Sequence, residues 1–272
     1  MLNRFKQTGI TFFCTLVLGL CSAITPLDAA TLHAVLVGDT NDQALGKAMK
    51  INIDNMHQEL SRAADLTGLE LNVVMTYGKS AKPQQVIKQI EQLEVNPDDV
   101  VIAFFSMHGY RTHDKSSQWP NLFFGEDYTG VELDYIVNSI REKNPRLLIA
   151  LADSCNVYVN GGQIKTLDSP SALGAQYFMK SYEKQNYKKL FLDSSGVIIA
   201  SGSLPGTSAW GVNNVGSFMT MGLLESLQEV VKRKSNAAWE DVFSQLEVRV
   251  GTYMKSYGSK IIQTPQYVID LH

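Results

Sequence analysis

From residue 33 onward the chain alternates short unbroken apolar runs with longer stretches whose apolar residues recur every three or four positions. HAVLV (33–37) is uninterrupted and stops at Gly38-Asp39, which predicts a strand. Over 44–66, Met49, Ile53, Met56 and Leu60 fall on one face of a helix. The same reading gives strands over 71–75, 99–105 (DVVIAFF), 146–152 (RLLIALA) and 197–200, with a last strand over 267–271. Helices fall over 82–93, 131–140, 218–231 and 237–254. Apolar runs without alternation belong to strands covered on both faces. With helices between them, they predict an α/β, three-layer sandwich around a mostly parallel sheet of about six strands. Residues 31–272 read as one domain, without internal repeats or low-complexity linkers. Its long connection, 156–196, is the kind of segment that carries function, and a helix is expected in it around 172–182.

The first thirty residues stand outside this pattern. Arg4 and Lys6 precede an apolar run over 10–21, followed by small-residue exits at Ala23 and at Ala29-Ala30. This is the pattern of a cleaved export signal, too short for a spanning helix. The expectation is a protein exported to the periplasm or the medium, with no stable membrane span after cleavage. Removing 1–30 takes Cys14 and Cys21 with it and leaves Cys155 as the sole cysteine, so no internal disulfide can form. A lone thiol in an oxidising compartment hides in the core, pairs with another chain, or reacts. The whole chain is 44% hydrophobic with a net charge of −3. Disorder is excluded, and a basic footprint for nucleic acid is missing.

In sheets of this kind ligands bind beyond the carboxyl ends of the strands. Two predicted strands end in reactive groups. The strand at 99–105 runs into Ser106-Met107-His108-Gly109, and that at 146–152 into Asp153-Ser154-Cys155. An imidazole and a thiol can therefore meet on one sheet edge, the histidine 47 residues upstream. That order and spacing suit caspases and not papain-type proteases. SMHG at 106–109 with DSC at 153–155 resembles the caspase-like cysteine peptidases, the metacaspase branch most closely, whose strands end in Ser-Gly-His-Gly and Asp-x-Cys. GSFMTMGLLESL (216–227) and TPQY (264–267) are also similar to that family, so the resemblance spans roughly 32–270.

The resemblance implies the caspase-hemoglobinase-like fold and an endopeptidase acting on peptide or protein substrates. His108 would be the proton acceptor and Cys155 the nucleophile, with the amides of Gly109 and Cys155 as the oxyanion donors. Asp153 lies two residues before the thiol, and a carboxylate there suits a cationic side chain. Metacaspases carry Asp at this position and cleave after Arg or Lys, so Asp153 would form the base of the pocket, with Ser106 on its wall. Asn52 aligns with a second acidic residue of the family, and Ser201 follows the fifth strand at the cleft. The loop from Ser201 and Ser203 to Trp210 would pair with substrate backbone. The chain departs from the family at Asn52, at Met107 in place of glycine, and over 156–161, where a His-Ser-Gly stretch is missing. Those departures keep open a second reading, a weak or inactive relative that binds peptides or partners in the same cleft. Lysines 165, 180, 184, 188 and 189 populate the long connection, and Lys188-Lys189 in an exposed loop would suit self-cleavage. No cofactor or metal is expected. Calcium, which some metacaspases need, would fall to Asp39 with Asp42 or Glu126 with Asp127, and solvated loop charge is the simpler account of both pairs. Gly38-Asp39-Thr40 echoes an esterase opening but lacks its serine. Oligomeric state is not legible.

Overall fold

In the computed structural model, residues 29–159, 182–258 and 262–272 are described. Residues 1–28 of the export segment with Cys14 and Cys21, Lys165 and Lys180, and the expected helix at 172–182 except its last residue, lie outside them. Six strands form the main sheet in the order β12-β9-β7-β3-β1-β2. They are β1 (Thr31–Gly38), β2 (Glu70–Tyr77), β3 (Val100–Ser106), β7 (Leu147–Asp153), β9 (Gly196–Ser201) and β12 (Gln266–Leu271). All pair in parallel except β12, which runs antiparallel to β9 at the edge.

Side-chain alternation along each strand divides the apolar residues between two cores. Leu32, Ala34 and Leu36 of β1, with Ile102 and Phe104 of β3, pack under the helices α1 (Gly46–Thr67), α4 (Glu183–Lys188), α5 (Phe218–Arg233) and α6 (Trp239–Ser256). Val35, Val37, Val101, Ala103 and Phe105 face the other way, onto α2 (Pro83–Glu91) and α3 (Leu133–Arg141). The three-layer sandwich and its mostly parallel six-stranded sheet follow from that split.

Two stretches differ from the sequence reading. Residues 106–132, given no strand there, supply most of a second sheet in the order β6-β5-β4-β8. It comprises β4 (Gly109–Arg111), β5 (Asn121–Phe124), β6 (Thr129–Glu132) and β8 (Val157–Tyr158). Strands of two to four residues are too short to display a period, and β8 joins β4 from far along the chain. Because β6 takes 129–132, the following helix starts at Leu133 and not at 131. The long connection also ends in structure. Lys188 and Lys189, expected in an exposed loop, belong to α4 and the π-turn Lys189–Asp193. Leu190 and Phe191 are buried there, and Asn186 donates to the carbonyls of Val231 and Lys234 while accepting from the Ala237 amide. The apolar pair anchors this turn to the core, which removes the lysines as an extended cleavage site.

The topology places the site. From β1 the chain moves outward to β2, then crosses to β3 on the other side, so the order reverses between β1 and β3. A crevice opens outside the carboxyl ends at such a point. Gly38, Ser106 and Asp153 sit side by side in the register of β1, β3 and β7. Two short strands, β10 (Gly211–Val212) and β11 (Gly216–Ser217), close the same end.

At the opposite end, Asp99 ties the strand starts together. It accepts from the amides of Thr31 and Asn96, each at 2.7 Å, and from His33 Nε2 at 3.1 Å. Burial pushes its carboxyl up, but these bonds prevail and hold it below the ordinary aspartate value. A carboxyl depressed in the folded state contributes stability above its unfolded value, and that contribution is lost as pH falls through the folded one. Asp99→Asn should cost about 1–3 kcal/mol near neutral pH, with the gap to wild type closing below about pH 4. Denaturant unfolding over a pH series measures this; a gap that stays constant into acid would refute the ionic account.

Candidate active site

The end of β3 delivers Ser106, Met107 and His108, and the end of β7 delivers Asp153, Ser154 and Cys155. All six line one cavity, together with Asn52 from α1, Ala209, Trp210 and Ser217. The imidazole and thiol, far apart in the chain, thus face a common space. That space, open to solvent on one side, measures about 30 Å³.

Cys155 is free and buried, 5% exposed. Its Sγ sits between the two backbone groups of Ala209, accepting from the amide at 3.3 Å and donating to the carbonyl at 3.5 Å. Burial pushes the thiol up, the Ala209 amide works against it, and the nearby Asp153 charge adds to the rise. The resting group is a protonated thiol, since burial without a cation disfavours the thiolate.

His108 is held from one side. Its Nε2 lies 3.0 Å from Oδ2 of Asp42, a residue of the loop between β1 and α1. The other oxygen of Asp42 accepts the amides of Ala44 at 3.0 Å and Leu45 at 2.6 Å. Burial raises the Asp42 carboxyl, but the Leu45 amide, His108 and the Ala44 amide outweigh it and the net shift is downward. Asp42 was not singled out as a partner of His108 in the sequence. The available signal was its place after β1 at the order reversal, where an Asp four residues ahead of a helix accepts the amides of the turn leading into it.

Asp153 is buried at the cavity floor. One oxygen accepts from the hydroxyl of Ser217, the hydroxyl of Thr220 and, at 3.1 Å, the Thr220 amide. Burial drives its carboxyl up, while those donors pull it back. Asn52 feeds the same network, donating to Ser106 Oγ at 2.9 Å and Ser217 Oγ at 2.7 Å and accepting the Ser217 amide at 3.0 Å. The structure therefore brings His108, Cys155, Asp153, Ser106 and Asn52 together. Ser201 is not among them. It is fully buried at the end of β9, its hydroxyl on the Ser203 carbonyl, because the chain turns inward there. Ser203 is buried likewise and bonds the carbonyls of Ser154 and Thr207, so it braces the turn that carries Cys155. Trp210 does line the cavity, its indole N–H buried without a partner among the described residues.

The turn carrying Cys155 is fastened from below. Asn156 is fully buried; its amide donates to Thr207, its carbonyl accepts from Gly206, its side chain donates to Gln118 and accepts from Arg111. Gly109 packs directly against this turn, and a Cβ there would meet the Cys155 carbonyl at 2.3 Å and the Ser154 hydroxyl at 2.7 Å. The acidic pairs beside the cavity are engaged: Asp39 by the Gly125 amide, Asp42 by His108, Glu126 by Asn41 and Asp127 by Lys82. Among the described residues no three His, Cys, Asp or Glu side chains are grouped so as to hold a metal ion.

Gly109→Ala should cost about 1–3 kcal/mol by overpacking, because backbone must move. Gly251→Ala, in α6 with nothing within 4 Å of the new carbon, should gain up to about 1 kcal/mol. Paired thermal melts test the contrast; equal melts would show that the Cys155 turn gives way freely.

Comparison with known proteins bears on the family and the fold. A family model described as the caspase domain matches residues 33–271. The fold is similar to the crystal structure of caspase-1 from Spodoptera frugiperda, with a TM-score of 0.52 and 14% identity, over 88% of this chain and 85% of that one. No curated protein sequence matches the chain.

Proposed function

Since the chain belongs to the caspase-domain family of cysteine peptidases, we propose that it is an exported endopeptidase that cleaves after Arg or Lys through His108 and Cys155. The observation that carries this reading is the meeting of His108 and Cys155 in one cavity floored by a buried carboxylate, Asp153. Sγ attacks the peptide carbonyl while its proton passes to His108. The oxyanion takes hydrogen bonds from the amides of Gly109 and Cys155, and His108 returns the proton to the leaving amine. Water then hydrolyses the thioester.

The specificity rests on charge. Among the described residues no cation stands beside buried Asp153, and its three hydrogen bonds all go to one oxygen. A guanidinium or ammonium entering the pocket would supply the missing counter-charge, whereas an acidic side chain would meet a second buried negative charge. Export rests on the amino-terminal pattern alone.

One observation favours the second reading, a caspase-like protein that binds without cleaving. Cys155 is buried, and both backbone groups of Ala209 stand against its sulfur. For cleavage, Ala209 has to give up its contacts with the sulfur.

Fluorogenic peptides ending in Arg, Lys, Asp, Asn or Leu separate these readings. Arg and Lys substrates should be turned over, with activity lost in Cys155→Ala, and Asp153→Asn should reduce kcat/KM for them by about 100-fold. Faster cleavage after Asp would reject the specificity. No turnover of any peptide by folded protein, with or without calcium, would favour the binding reading.

A further inference from the structure

Caspase-like catalysis, as read above, asks only for a histidine and a cysteine. This chain adds a carboxylate. Asp42 and His108 are contributed by the two strand ends that flank the order reversal, β1 and β3, and their side chains meet at 3.0 Å, both mostly buried. We propose that Asp42 is the positioning residue of the site: it fixes the orientation and tautomer of His108, so that the working set is Asp42, His108 and Cys155. The inference rests on the cysteine-peptidase reading and extends it.

The chemistry follows from donor and acceptor counting. An ionised carboxylate only accepts, so the imidazole nitrogen facing Asp42 must carry the proton. That nitrogen is Nε2. In the neutral ring the bare nitrogen is then Nδ1, the one free to accept the thiol proton. When the proton arrives, the imidazolium forms beside a negative charge that is already in place, which lowers the cost of the transfer. Asp42 is held for this task without His108. Its Oδ1 is pinned by the amides of Ala44 and Leu45 ahead of α1, which leaves Oδ2 for the imidazole.

His108 also feels other charges. Asp39, at the end of β1, is buried and raised by that burial, and accepts from the Gly125 amide. Glu126, from the loop after β5, bonds Asn41. Asp153 and Cys155 face the cavity from the end of β7. Among the described acidic groups around the ring, Asp42 is the one that hydrogen-bonds it.

The two oxygens of Asp42 have separate jobs, and this makes the test sharp. In Asp42→Asn only Oδ1 can accept the Ala44 and Leu45 amides, so Nδ2 turns toward His108. The turn before α1 is kept while the group facing the imidazole changes from acceptor to donor. The ring must then present a bare Nε2, and the proton moves to Nδ1, the wrong place for a base.

The full chain is assayed as wild type, Asp42→Asn, Asp39→Asn, His108→Ala and Cys155→Ala. Asp42→Asn should lower kcat by roughly 10²–10⁴-fold with KM little changed, and should move the acidic limb of kcat/KM to lower pH. Asp39→Asn should leave the tautomer as it is. Nitrogen-15 spectra of the imidazole should show Nε2–H in wild type and its loss in Asp42→Asn. An Asp42→Asn enzyme with wild-type kcat and pH limb, while His108→Ala is inactive, would overturn the role of Asp42 and leave the dyad standing. Wild-type turnover by His108→Ala would instead sink the dyad. The spectra judge the positioning without any turnover, and the wild-type spectrum suffices if the variant fails to fold: Nδ1–H at neutral pH overturns the proposal.

Discussion

The constraint on which the site depends is strand register. Gly38, Ser106 and Asp153 lie side by side at the carboxyl ends of β1, β3 and β7. Three chain segments therefore leave the sheet at one level, carrying Asp42, His108 and Cys155. A one-residue slip of any strand would send its whole apolar set to the opposite core. Both faces of these strands are buried, Leu36 and Phe104 in one core and Val37 and Phe105 in the other, so the register is strongly specified. The same packing that stabilises the sheet thus sets the position of the reactive groups.

Above that edge the site is a set of buried polar groups whose partners are mostly in place. Asn52, Ser217 and Thr220 converge on Ser106 and Asp153 and link α1, α5 and two strand ends. Asn156 and Gly109 fix the turn behind the thiol. Such a network resists deformation, because any member left unpaired in the interior costs free energy. The exceptions are informative. The indole N–H of Trp210 and the hydroxyl of Ser154 are buried without partners among the described residues, and both border the cavity. They are groups that an entering backbone could satisfy.

The resting arrangement has a cost in reactivity. Burial covers Cys155 and raises its thiol, and Ala209 stands against the sulfur. Opening the segment that carries Ala209 would relieve both at once, since the same residue contacts the sulfur and lines the cavity. On the proposed function, one piece of backbone, Ala209, would govern both the state of the thiol and access to it.

The sequence by itself determined the layered α/β fold, the positions of the long helices and core strands, and the two strand ends bearing His108 and Cys155. It did so because long apolar runs and helical spacing report burial locally, and because a parallel sheet collects its strand ends on one edge. Tertiary structure alone decided the rest. The second sheet is made of strands too short to carry a period, and β8 reaches β4 across a long loop. Ser201 points into the core and not the cleft, since the direction of a turn after a strand depends on what it packs against. Lys188 and Lys189 are helical because Leu190 and Phe191 found the core. Asp42 meets His108 across 66 residues of chain, a pairing created only when β1 and β3 lie side by side.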